Sequence, residues 1–210
     1  MAGAKTIWET FGPKISDETL RPFGDASVDG IDLDFESVVT HTVPFANELR
    51  SLMDQGNARK TEGRKFLLTA APQCPYPDAA DGEMLNGGVA FDIVFVQFYN
   101  NFCGANAYSP NATNGNPFNF DLWDNWAHTV SKNRDVKVFL GVPASPTAAT
   151  SGYVSAEILA PIVTYSRTFS SFGGVMMWDA TQAVANTGFL PGVKSALSST
   201  SRIMRREYLW

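Results

Sequence analysis

At 210 residues, 44% hydrophobic and 18% charged, the chain is sized for one domain with a substantial core, and its composition argues against disorder. Sixteen basic against 21 acidic residues leave a net charge of −5, and the only basic clusters are the short stretches Arg59–Lys65 and Arg202–Arg206, which speaks against a nucleic-acid partner. No apolar run approaches the roughly 20 residues of a membrane span, and no basic segment followed by an apolar core marks a signal peptide at the start. Two Cys and two His cannot supply a four-ligand zinc site at ordinary spacing, and no Gly-rich or Walker-type phosphate loop occurs. No cofactor, metal or membrane partner is therefore expected, which directs attention to carboxylate chemistry.

In chain order, Ile7, Trp8 and Phe11 indicate a short helix. Five apolar runs rich in β-branched and aromatic residues then predict buried strands at Val28–Glu36, Lys65–Cys74, Phe91–Asn101, Val136–Ser145 and Gly173–Ala180. Helical spacing lies between them: Val43, Ala46, Leu49 and Met53 with Pro44 in the first turn, then Leu122, Trp123, Trp126 and Val130 after Asn119. A third helix carries Ile158, Leu159, Ile162 and Val163 after the N-cap candidate Ser155, with a kink or break predicted at Pro161. Alternating strands and helices imply parallel βα units, either a doubly wound sheet or a (β/α)8 barrel. Strands ending in Glu36, Gln73, Tyr99 and Trp178 favour the barrel, whose chemistry sits at the carboxyl ends of several strands. A complete barrel takes about 250 residues and eight strands, so five strands predict an incomplete one.

Asp29-Gly30-Ile31-Asp32-Leu33-Asp34-Phe35-Glu36 is the most informative stretch. Alternation places Ile31, Leu33 and Phe35 on one face of the strand and Asp32, Asp34 and Glu36 on the other. On a buried strand this stacks three carboxyls about 7 Å apart in the barrel interior, where they share protons and their pKa values separate. An acid that must stay protonated near neutral pH needs such surroundings. The alternative is an amphipathic strand whose acids face water.

The same residues resemble the Asp-Gly-x-Asp-x-Asp-x-Glu signature of family 18 glycoside hydrolases. Four further stretches are similar to strand motifs of the class III chitinases of plants and fungi, in the same order: Leu68-Thr69-Ala70-Ala71-Pro72-Gln73-Cys74-Pro75, Val96-Gln97-Phe98-Tyr99-Asn100-Asn101, Val138-Phe139-Leu140-Gly141-Val142-Pro143-Ala144 and Gly173-Gly174-Val175-Met176-Met177-Trp178. The resemblance implies an α/β fold, the (β/α)8 TIM barrel, with the five units equivalent to strands 4–8. It implies endo-hydrolysis of β-1,4-linked N-acetylglucosamine in chitin and chitooligosaccharides, with the substrate's own acetamido oxygen attacking the anomeric carbon. Glu36 is then the general acid, Asp34 orients the acetamido group, Asp32 shares its proton, and Tyr99 donates a hydroxyl. Gln97, Asn100, Asn101, Met176 and Trp178 are the implied sugar contacts, Trp178 as the apolar floor; Asn100 and Asn101 read equally well as turn formers. Trp123 and Trp126 are expected in the core, and His41 and His128 at the surface or capping.

Cys74 and Cys103 each follow a strand, which allows either a bridge or two buried thiols; the resemblance implies the disulfide. It also implies that the chain is shortened at its N-terminus, beginning inside the fold, with residues 1–190 forming a partial catalytic barrel and 191–210 a tail of unassigned role. The parent is expected to be extracellular, its signal peptide lost with the missing part, and Asn111-Ala112-Thr113 a glycosylation sequon. With strands absent, the acid row is expected to be more hydrated and its activity weakened. Two other functions keep the same residues: a chitinase-like protein that binds the sugar or inhibits another enzyme without turnover, or an inactive fragment, and an endo-N-acetylglucosaminidase acting on N-glycans.

Overall fold

A computed structural model describes residues 2–16, 19–59, 65–110 and 115–199. The Asn111-Ala112-Thr113 sequon and the end of the tail, from residue 200 onward, lie outside the described residues. Five strands, β1 (Gly30–Leu33), β2 (Leu67–Ala70), β3 (Ile93–Gln97), β4 (Lys137–Pro143) and β5 (Phe172–Trp178), follow the spatial order β1-β2-β3-β4-β5. The β1–β2, β2–β3 and β4–β5 pairs are parallel. The α-helices among the described residues are α1 (Ala2–Phe11), α2 (Thr42–Arg59), α3 (Phe120–Thr129), α4 (Ala156–Ser166), α5 (Ala180–Ala185) and α6 (Phe189–Ser198). Sequential parallel order with helical crossovers is the arrangement of an incomplete (β/α) barrel.

The chain divides into two compact units, the first made of Met1–Pro72, Tyr76–Phe95 and Asn125–Lys137, the second of Gln73–Pro75, Val96–Asp124 and Val138–Trp210. In the first, the helical stripe read from the sequence is the buried face of α2: Ala46, Leu49 and Met53 are fully enclosed. Trp8 of α1 meets Phe66 edge-on, ring centroids 5.0 Å apart. Arg50 of α2 reaches Asp92 at 2.5 Å and the Phe66 carbonyl at 3.2 Å, while the same Asp92 oxygen accepts from Leu68 N at 2.9 Å, so one ion pair ties the helix to the start of β2. In the second unit, Phe98, Phe118, Phe120, Tyr165 and Phe169 form a continuous aromatic cluster, and α4 packs on α6.

Several expectations are corrected. The first strand is shorter than Val28–Glu36: its ladder stops at Leu33, whose carbonyl accepts from Ala71 N at 3.1 Å, and Asp34 to Glu36 run on beyond it. Pro161 neither breaks nor ends α4. A proline removes one backbone donor, but its ring is on the exposed side while Leu159, Ile162 and Val163 are buried on the other, and that packing carries the helix through. Leu122 and Ile158, read as apolar-face residues, are 37% and 58% exposed. Helices α5 and α6 are not among the helices read from the sequence pattern.

Candidate active site

The acid row grows directly out of β1. Gly30 and Leu67 lie in register, and a Cβ on Gly30 would collide with the Leu67 carbonyl oxygen, so the close approach of β1 to β2 requires glycine here. The alternation then runs as the sequence predicts: Leu33 is buried, Ile31 and Phe35 are half-buried, and Asp32, Asp34 and Glu36 occupy the opposite face. That face is not a closed interior. All three acids are exposed, as expected of a barrel lacking strands and unlike the enclosed stack of a fully buried strand, because β1 ends the strand order and no strand beyond it covers them among the described residues.

Exposure of the residue as a whole does not put every carboxyl oxygen in bulk water. Asp32 is in register with Thr69 on β2, whose hydroxyl donates to Asp32 Oδ1. Loss of hydration raises the Asp32 pKa, and the Thr69 bond, which favours the ionised form, offsets only part of that rise. Asp34 is raised as well, first by desolvation and then by the negative charges of Glu36 and Asp32. These two carboxyls therefore hold protons more tightly than free ones do. Thr69 lies inside a quoted motif but has no role implied there; its parity across the parallel register is the signal that finds it.

Close by in the same unit, Asp78 Oδ1 accepts from the amides of Ala80 at 2.8 Å and Asp81 at 2.6 Å, fixing the turn that leads into a short kinked segment, Met84–Gly88, where Gly87 is left-handed at φ 84°. Asp81 itself is wholly buried, and its pKa is pushed up to about 8, mainly by desolvation and then by Asp78, Asp34 and Asp32. No sequence pattern singles it out. His41 occupies the turn before α2, its carbonyl accepting from Phe45 N at 3.2 Å, and His128 is exposed in the last turn of α3. Trp126 is a core residue, its indole N–H donating to the Leu85 carbonyl at 2.9 Å.

The second unit carries the remaining candidates. Gln97 and Tyr99, at the end of β3, are 5% and 6% exposed. Gln97 pairs with Gln73 in an isolated parallel bridge, and its carbonyl accepts from Cys74 N at 3.2 Å. Asn100 adopts a left-handed conformation, φ 56°. Its Oδ1 accepts from Thr150 N at 2.9 Å and Ser151 N at 3.1 Å, so the side-chain carbonyl is committed to holding that loop. Asn101 Nδ2 donates to Gln73 Oε1 at 2.9 Å and to the Tyr99 carbonyl at 3.2 Å. On β5, Met176 is half-buried against Gly141 of β4, and Trp178 at the strand end is 49% exposed.

Cys74 and Cys103 form a disulfide with Cα atoms 5.9 Å apart. The Cys74 carbonyl also accepts from the Trp123 indole at 3.0 Å and from Asn119 Nδ2 at 2.9 Å, which places Trp123 in the core as the sequence predicts. Among the described residues, no three His, Cys, Asp or Glu side chains are grouped to hold a metal, and no helix is long and apolar enough to cross a membrane.

Comparison with known proteins bears on what this arrangement does. The family model described as Glycosyl hydrolases family 18 matches residues 4–157. A class III chitinase of Arthroderma benhamiae is 54% identical over 99% of this chain and 62% of its own length, so the chain spans about three-fifths of that relative. The crystal structure of ICChI chitinase from Ipomoea carnea superposes with a TM-score of 0.72 at 30% identity, over 93% of this chain and 65% of that one. A xylanase and alpha-amylase inhibitor protein from Scadoxus multiflorus superposes with a TM-score of 0.71 at 32% identity, over 92% of this chain and 66% of that one.

Proposed function

The chain belongs to glycosyl hydrolases family 18, and from that premise we propose that it carries the acid machinery of a secreted chitinase cleaving β-1,4-N-acetylglucosamine linkages within chitin chains. Glu36 gives its proton to the glycosidic oxygen as the C1–O bond breaks, and the acetamido oxygen of the sugar on the cleaved side closes onto C1. Water then opens the cyclic intermediate while Glu36 takes back a proton, so the anomeric configuration is retained. Asp34, with its pKa raised, is suited to hold a proton toward the acetamido group, and Asp32 to share it. Tyr99 supplies a hydroxyl to the acetamido oxygen; Gln97, Asn101, Met176 and Trp178 contact sugar, with Asn100 in the same role through its amide nitrogen or solely as the loop anchor its bonds describe. The Cys74–Cys103 bridge suits an oxidising compartment and supports the secreted reading.

One observation carries the proposal: the row Asp32, Asp34, Glu36 stands intact at the carboxyl end of β1, with raised pKa values for its first two members. A second reading, a sugar-binding or inhibitory protein without turnover, is favoured by the exposure of that row, since a general acid works best in low dielectric, and by the likeness to an inhibitor protein. Early-time proton NMR of chitotetraose incubated with the 210-residue chain separates the two. Release of the β-anomer supports the hydrolase; the α-anomer contradicts the mechanism; saturable binding with no cleavage favours the second reading.

A further inference from the structure

Asp81 is a carboxyl for which the reaction above has no use. Its main-chain carbonyl accepts from Met84 N and Leu85 N, both at 2.9 Å, and its amide donates to Asp78 Oδ1, so its backbone is firmly held. The residue is 0% exposed, and neither carboxyl oxygen has a hydrogen-bond partner among the described residues. A carboxylate placed there would give up its hydration with no donor in exchange. The charges that bear on it come from Asp78 on its own segment, Asp34 just beyond β1 and Asp32 on β1, and all three are carboxyls. The neutral acid is the form this pocket admits.

Resting on the assignment of the acid row, we propose that Asp81 is a positioning residue for it: protonated, it lets the segment from Asp78 to Gly88 seat beside Asp32 and Asp34, and ionised it is driven toward water and unseats that segment. The site thereby acquires an alkaline limit independent of Glu36. The sign follows from proton binding. The native state retains a proton up to about 8, whereas the unfolded chain releases it near the ordinary carboxyl pKa of about 4. Native protein thus binds more protons than unfolded protein across that window, and stability falls as pH rises through it.

The test compares the 210-residue chain with Asp81→Asn, a neutral side chain of the same shape, between about pH 5 and pH 9. Three quantities are read: the thermal midpoint, amide-exchange protection across Asp78–Gly88, and the 13Cγ titrations of Asp81 and Asp34. The wild-type midpoint should fall with pH, and segment protection should drop more than about tenfold, the change that one pH unit of linkage produces. Asp81→Asn should keep both nearly level and exceed the wild type at the alkaline end. The wild-type Asp81 resonance should titrate above about pH 7, with Asp34 shifting at the same midpoint. Superimposable profiles for the two proteins, or an Asp81 resonance titrating near about pH 4, overturn the proposal. If Asp81→Asn does not fold, the wild-type titration decides alone. None of these readouts needs turnover, so a failure of Glu36 as the acid and a failure of Asp81 as the positioning residue are separate results.

Discussion

Asp32 is held by one hydroxyl, and that bond has a measurable sign. Because Thr69 donates to the ionised carboxyl, removing the donor leaves only the desolvation that raises its pKa. Thr69→Val should therefore raise the Asp32 pKa further, and Thr69→Ser should restore most of the wild-type value. A 13Cγ titration checks this, and an unchanged or lowered pKa in Thr69→Val contradicts it. Side-chain parity along β1 is legible in the sequence because alternation is a local property of extended chain. Asp81 is not, since its burial depends on how an irregular segment packs and no periodicity marks it. For Asn100 the residue type leaves sugar contact and turn former open; the left-handed backbone and the two amide bonds supply the second role.

Elements rest on two local requirements that substitutions can probe. A methyl on Gly30 would collide with the main chain of Leu67 rather than with a side chain that can swing away. Gly30→Ala should therefore cost about 2 kcal/mol or more, read as a lowered urea midpoint, and a loss under about 0.5 kcal/mol would show that β1 and β2 can part to admit it. The Cys74–Cys103 bridge closes a sequence separation of 29, and loop-closure entropy assigns it about 3–4 kcal/mol. Cys103→Ser, or reduction of the wild type, should lower the urea midpoint accordingly; equal midpoints with and without reductant contradict that estimate. Strand and helix positions are legible because their apolar spacing is dense and β-branched or 3.6-periodic. The continuity of α4 through Pro161 is not, because tertiary packing of Leu159, Ile162 and Val163 overrides a local preference. Helix α6 is hidden for a similar reason: its buried residues, Phe189, Val193 and Ala196, are too few to announce a helix beside Pro191 and Gly192.

At the scale of the whole chain, five collinear strand motifs suffice to read the βα alternation and the strand order, since parallel units follow one another in sequence. The apolar run alone indicates a buried strand but not which strands lie beside it; the exposure of the acid row follows from the strand count, since β1 has a neighbour only in β2 among the described residues. Whether those exposed carboxyls perform acid catalysis is settled most directly by Glu36→Gln in the 210-residue chain, assayed on chitotetraose. The amide keeps the shape of the side chain and cannot donate a proton to the leaving oxygen. Turnover should fall by about 10²–10⁴-fold, the usual worth of general acid catalysis, while oligosaccharide affinity stays within about threefold. A loss of turnover below about tenfold would contradict Glu36 as the acid.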